Sequence, residues 1–151
     1  EPYKGVYRVS WDALRFETDK KTLAAWIQAE WNIQETLDGD QKRDSKFADF
    51  RRRYFVDLES ESEDDVNEAK KLLNDAFTFG ETLDLSSSVA LETSFAKIIG
   101  KQGYIRAWAW KPDKDVKGNP IPEADQKPIQ QFVVQQAKVA EKRRSSQSVP
   151  F

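Results

Sequence analysis

The chain has 151 residues, 38% of them hydrophobic and 33% charged, with a formal net charge of −2, and contains neither Cys nor His. That length supports one domain with its own core. The composition excludes disulfides, thiolate nucleophiles, Cys/His zinc sites and the commonest general base. No apolar run approaches the roughly 18 residues of a membrane-spanning helix.

The chain opens on Glu1-Pro2-Tyr3-Lys4 with no initiator Met and no apolar signal-peptide core, and reads as a fragment, a processed form or a trimmed chain. Val6 to Arg15 alternates as a strand, with Tyr7, Val9, Trp11 and Ala13 on one face and Arg8 and Ser10 on the other. Glu17 to Lys21 is a polar turn. Leu23 to Leu37 fits a strand better than a helix: Ile27, Ala29, Trp31 and Ile33 share one parity and Gln28, Glu30, Asn32 and Gln34 the other. Trp26 falls on the outer parity, as half-buried packing or as an extension of a binding platform.

Asp40 to Lys46 is a charged loop. Phe50 to Leu58 is a third strand with Phe50, Tyr54, Val56 and Leu58 on the apolar parity, which puts Arg51, Arg53 and Phe55 together on the opposite face. Ser60-x-x-Glu63 and Ser62-x-x-Asp65 then offer capping boxes. The acidic block from Glu59 to Glu68 crowds the first turn, where the helix dipole favours it. Val66, Ala69, Leu72, Leu73, Ala76 and Phe77 follow at helical spacing, and Gly80 provides a stop. A second helix runs from about Ser88 to Ile99.

Tyr104 to Lys111 is a fourth strand with contrasting faces. Tyr104, Arg106, Trp108 and Trp110 lie on one, Ile105, Ala107 and Ala109 on the other. Pro112 to Lys127 is expected to be an extended, mobile loop. Pro128 to Val134 is the last strand, and the remainder is a polar, basic tail that becomes disordered. The fold class is therefore mainly β with a helical insertion. It fits a five-stranded, oligonucleotide-binding (OB)-like Greek-key barrel with two helices between strands three and four. An α+β sheet with helices on one face is the alternative.

Two strands thus carry rows that mix guanidinium groups with aromatic rings. An aromatic row is often a core face, but the embedded arginines favour an open face on which bases stack and phosphates are held. The candidate nucleic-acid-binding residues are Arg8, Arg51, Arg53, Phe55, Tyr104, Arg106, Trp108, Trp110 and Lys111. The charge balance does not by itself suggest a nucleic-acid binder, but its segregation allows a local basic face. Trp, Tyr and Arg also dominate protein interfaces, so a protein–protein interaction module using the same surface is the competing reading. No P-loop, nucleophile elbow, zinc-protease or dinucleotide motif occurs. Asp49, Asp57, Asp84 and Glu92 suggest a nuclease only by being carboxylates. A non-enzyme without metal or cofactor is expected.

Gly5-Val6-Tyr7-Arg8-Val9, Phe47-x-Asp49, Tyr54-Phe55-Val56-Asp57-Leu58 and Ala69-Lys70-x-Leu72-Leu73 occur in that order, followed by Leu83-Asp84-Leu85, Gly100-Lys101-x-Gly103-Tyr104 and Ile129-x-x-Phe132. Over residues 3–136 this order resembles phage-encoded single-stranded-DNA-binding proteins of the OB-fold type. The resemblance implies an OB-like nucleic-acid-binding domain over residues 1–136 and a basic, flexible tail over 137–151. It implies single-stranded-DNA coating in phage replication or recombination, in the cytoplasm of a bacterial host, with no membrane. A homodimer is left open. The terminal Ser148-Val149-Pro150-Phe151 is similar to the Ile-Pro-Phe tip through which bacterial single-stranded-DNA-binding proteins recruit replication and recombination partners. Here, however, acidic residues are missing and Lys142-Arg143-Arg144 has the opposite charge.

Overall fold

The computed structural model describes residues 1–148, with side chains as far as Lys142. It contains strands β1 (Gly5–Thr18), β2 (Ala25–Gly39) and β3 (Phe50–Tyr54), helices α1 (Glu63–Thr78) and α2 (Ser88–Ile98), strands β4 (Gln102–Trp110) and β5 (Ile129–Gln135), and helix α3 (Ala137–Ser148). The five strands form one sheet in the order β3-β2-β1-β4-β5. β2 with β3 and β4 with β5 pair antiparallel. Two helices do separate β3 from β4, as expected. The third helix, at the C-terminal end, was not expected.

The chain divides into two compact units, and β1 and β2 run through both. The larger comprises residues 9–34 and 43–103. At its centre the Trp11 and Trp31 rings lie 4.7 Å apart, and the Phe79 ring meets Trp11 edge-on at 5.0 Å. Gly103 makes room for Phe79, since a Cβ there would come within 2.8 Å of that ring. Leu72 and Ala76 of α1 and Leu91, Phe95 and Ile98 of α2 are buried, the helical-period stripes that the sequence shows. Ser62 caps α1, its Oγ accepting from the Asp65 amide and donating to the Asp65 carboxylate at 2.7 Å. Asp65 is thereby held below the usual carboxylate range, chiefly by hydrogen bonds from Ser60 and Ser62. Gly80, at φ +91°, ends the helix, and the Glu81 amide donates back to the Ala76 carbonyl.

The third strand is shorter than its apolar alternation suggests. It stops at Tyr54, after which the Phe55 amide donates to Glu68 Oε1 on α1 rather than continuing the ladder. Val56 and Leu58 are half-buried in the connection to α1.

The smaller unit comprises residues 1–8, 35–42 and the chain from Tyr104 onward. Gly5 and Gly39 cross so closely that a Cβ on either would fall within 2.1 Å of a carbonyl oxygen on the other segment. Both have positive φ, +154° and +101°, which a glycine adopts without penalty. The Gln130 side chain grips the N-terminal segment, accepting from the Tyr3 amide at 2.6 Å and donating to the Tyr3 carbonyl at 3.0 Å. The segment expected to be a flexible tail is helical through Ser148, and Ala140 of α3 packs with Val6 and Leu37 in a buried cluster that Tyr104 joins. Polar composition hid this helix, which is held by Ala140 in that cluster and by Glu141, the acceptor of the Tyr104 hydroxyl. Val149, Pro150 and Phe151 lie outside the described residues.

The β4–β5 connection is also more ordered than expected. Asp115 Oδ1 accepts from the Lys117 and Asn119 amides, and Gly118, at φ +83°, closes a tight turn by donating to the Asp115 carbonyl. A 3-10 turn follows at Glu123–Asp125.

Candidate nucleic-acid interface

In the larger unit, alternation along β3 turns Phe50 and Tyr54 inward and leaves Arg51 and Arg53 exposed. The register sets Gln28 opposite Arg53 and Glu30 opposite Arg51, so these four side chains share a face. The Arg53 guanidinium carbon lies 4.3 Å from the Trp26 ring centroid, a cation–π stack. The Phe55 ring, 46% exposed, stands 6.4 Å from the Trp26 ring. Arg51 sits over Phe47 at 5.5 Å. Trp26, Gln28, Glu30, Arg51 and Arg53, with Arg15, Glu17 and Arg52, line an open groove of about 510 Å³.

The arginines of this groove are not equivalent. Arg15 is bound by Glu17 at 2.6 Å and by Glu30 at 3.2 Å. Its pKa is raised, first by the Glu17 hydrogen bond. Arg52 points the other way, donating to Asp75 Oδ2 at 3.1 Å, and the Tyr54 hydroxyl donates to the same oxygen. Arg51 and Arg53 make no carboxylate ion pair among the described residues.

In the smaller unit, Ile105 and Ala107 are buried, so the Tyr104–Trp110 row is the outer face of β4 rather than its core face. Arg106 is exposed and lies over the Trp108 ring at 4.5 Å. Trp110 is 53% exposed. Across the ladder stand Val133 opposite Arg106, Gln131 opposite Trp108 and Ile129 opposite Trp110. Lys111 is exposed just beyond the strand.

Tyr104 differs from the rest of its row. It is half-buried, and its hydroxyl donates to Glu141 Oε1 of α3 at 2.6 Å. That hydrogen bond, and secondarily burial, raises its pKa, while the positive charge of half-buried Arg8 opposes the rise. Tyr104 is therefore tied to α3 through its hydroxyl. Of the expected row, Arg106 and Trp110 are exposed and Trp108, like Tyr104, is half-buried.

Sequence reasoning passed over Arg15, Gln28 and Glu30 as site residues and left Trp26 undecided. Their common parity on β2 was visible, but the register that sets them opposite Arg51 and Arg53 was not. Of the carboxylates weighed for a nuclease, Asp49 accepts from the Ile33 amide, Asp57 from Glu59 and Asp84 from Ser86. No group of three carboxylates placed to hold a metal ion occurs among the described residues. The chain matches no family model, no curated protein and no solved structure.

Proposed function

We propose that this chain binds single-stranded DNA with little regard to sequence, as an OB-like protein of the phage replication or recombination type that it resembles. One observation carries the reading: each unit sets an arginine guanidinium against an accessible indole, Arg53 on Trp26 and Arg106 on Trp108. Flat cationic–aromatic surfaces of this kind stack any base, at about 1–3 kcal/mol per base. Arg51 and Arg53 keep their charge available for phosphates. The strand order supports the OB reading, because it is the order of a five-stranded Greek-key barrel opened between its third and fifth strands.

The second reading, a protein-docking surface, draws on the smaller unit, where Ile129 and Val133 are 42% and 37% exposed beside Trp110 and Arg106. Anisotropy of a labelled oligothymidylate separates the two. Single-strand binding predicts saturation at low salt, competition by unrelated single strands and little competition by duplex. An oligonucleotide that stays free at low salt contradicts it.

A further inference from the structure

We infer that the Trp26–Arg53 groove is a single-base subsite for a carbonyl-bearing pyrimidine, with Gln28 donating the hydrogen bond to the base. The inference rests on the single-strand reading and says what one part of that surface selects. Gln28 is only 9% exposed, an unusual burial for a side chain with two donors and an acceptor. Its Oε1 is taken by the Trp26 indole N–H at 3.0 Å. That bond fixes which way the amide points and leaves Nε2, with two N–H donors, without a protein partner among the described residues.

Nε2 opens on the groove, where an acceptor from outside the chain can reach it. The groove's own carboxylates do not supply that acceptor, because Glu17 and Glu30 are held by Arg15. The volume, about 510 Å³, falls within the usual range for small-ligand sites, roughly 300–1,000 Å³. A base stacked on the Arg53–Trp26 pair turns its edge toward Gln28, which faces Arg53 across the ladder. Arg51, two residues along the same strand face, is placed for the adjoining phosphate. Donors at the edge, a cationic stack at the face and a free guanidinium beside them select an acceptor-edged base on an anionic backbone.

The test compares oligothymidylate with the same oligomer built from difluorotoluene nucleosides, which keep thymine's shape and phosphates but lack carbonyl acceptors. Wild-type protein is expected to bind oligothymidylate roughly 3–10-fold more tightly, the range of one neutral hydrogen bond. Gln28→Leu is expected to bind both oligomers equally, at the isostere's affinity. Gln28→Glu, which replaces donors by acceptors at the same size, is expected to abolish the preference too, and serves where the leucine variant does not fold. Equal binding of the two oligomers by wild type, or a preference that survives in the folded variants, overturns the subsite while salt-sensitive binding keeps the single-strand reading. Failure of wild type to bind either oligomer at low salt overturns both.

Discussion

The guanidinium of Arg53 and the indole of Trp26 are stacked across adjacent antiparallel strands, 4.3 Å from carbon to ring centroid. The pair joins a mobile charge to a rigid ring, and the two contribute differently to binding. Arg53→Ala is expected to weaken oligothymidylate binding and to lower the slope of log K against log salt by about 0.7, one single-strand phosphate contact. Arg53→Lys should restore most of that slope but not the full affinity, because an ammonium does not stack as a planar guanidinium does. A slope unchanged in Arg53→Ala would show that no phosphate is held there.

Trp108 supplies the stacking surface of the other unit, with Arg106 over its ring. Trp108→Ala is expected to cost about 1–3 kcal/mol of oligonucleotide binding with an unchanged salt slope. Tyr104→Phe, by contrast, loses the hydrogen bond to Glu141 of α3 and should leave the affinity within about twofold. Isothermal titration calorimetry of both variants checks the contrast, and a larger loss at Tyr104 than at Trp108 would reverse the assignment.

Asp75 is the acceptor of an inward-facing cluster on α1, taking hydrogen bonds from Arg52 and Tyr54. Removing one partner of so enclosed a pair strands the other, and Arg52→Ala is expected to cost roughly 3 kcal/mol in urea denaturation. Burial raises the Asp75 pKa, more than Arg52 and the Tyr54 hydroxyl lower it. A carboxyl whose folded pKa lies above its unfolded value favours folding most when both states are protonated, and that contribution is lost as pH rises through the folded pKa. The stability of wild type relative to Asp75→Asn should therefore fall as pH rises from the unfolded carboxylate pKa, about 4, through the raised folded one. A relative stability that climbs over that interval would contradict the assigned shift.

The crossing of Gly5 and Gly39 admits no side chain. In Gly39→Ala the new Cβ would meet the Lys4 carbonyl oxygen at 2.1 Å, at a φ of +101°. The variant is expected to lose more than about 3 kcal/mol, strain and steric overlap together, measured by thermal or urea unfolding. Gly118→Ala, with open space around its Cβ, should lose only about 1 kcal/mol, from its positive φ alone.

Much of the fold was legible where one local rule sufficed. The two faces of β4 follow from strict alternation, and α1 from a serine cap and an apolar stripe. What was hidden depends on contacts between distant segments. Alternation along β3 sets Arg52 on the parity of Phe50 and Tyr54, but not the carboxylate that meets it there, Asp75, 23 residues on. Phe77 keeps the α1 period yet is 72% exposed, because period marks a stripe but not its width. α3 was missed because Ala140 packs with Val6 and Leu37, residues far away in sequence, and the hydrogen bond from Tyr104 to Glu141 was hidden with it. The groove escaped notice because it requires the β2–β3 register, which no single strand contains.

The most direct measurement is intrinsic tryptophan fluorescence during titration with poly-dT at low and high salt. Trp11 and Trp31 are fully buried, whereas Trp26 and Trp108 are half-buried and Trp110 exposed, so quenching by stacked bases reports on the proposed surfaces. The account predicts strong quenching at low salt, reversal at high salt and a smaller signal in Trp108→Ala. Unchanged fluorescence at low salt, with no retarded species on a gel, would contradict it and leave the aromatic–arginine face as a surface for protein.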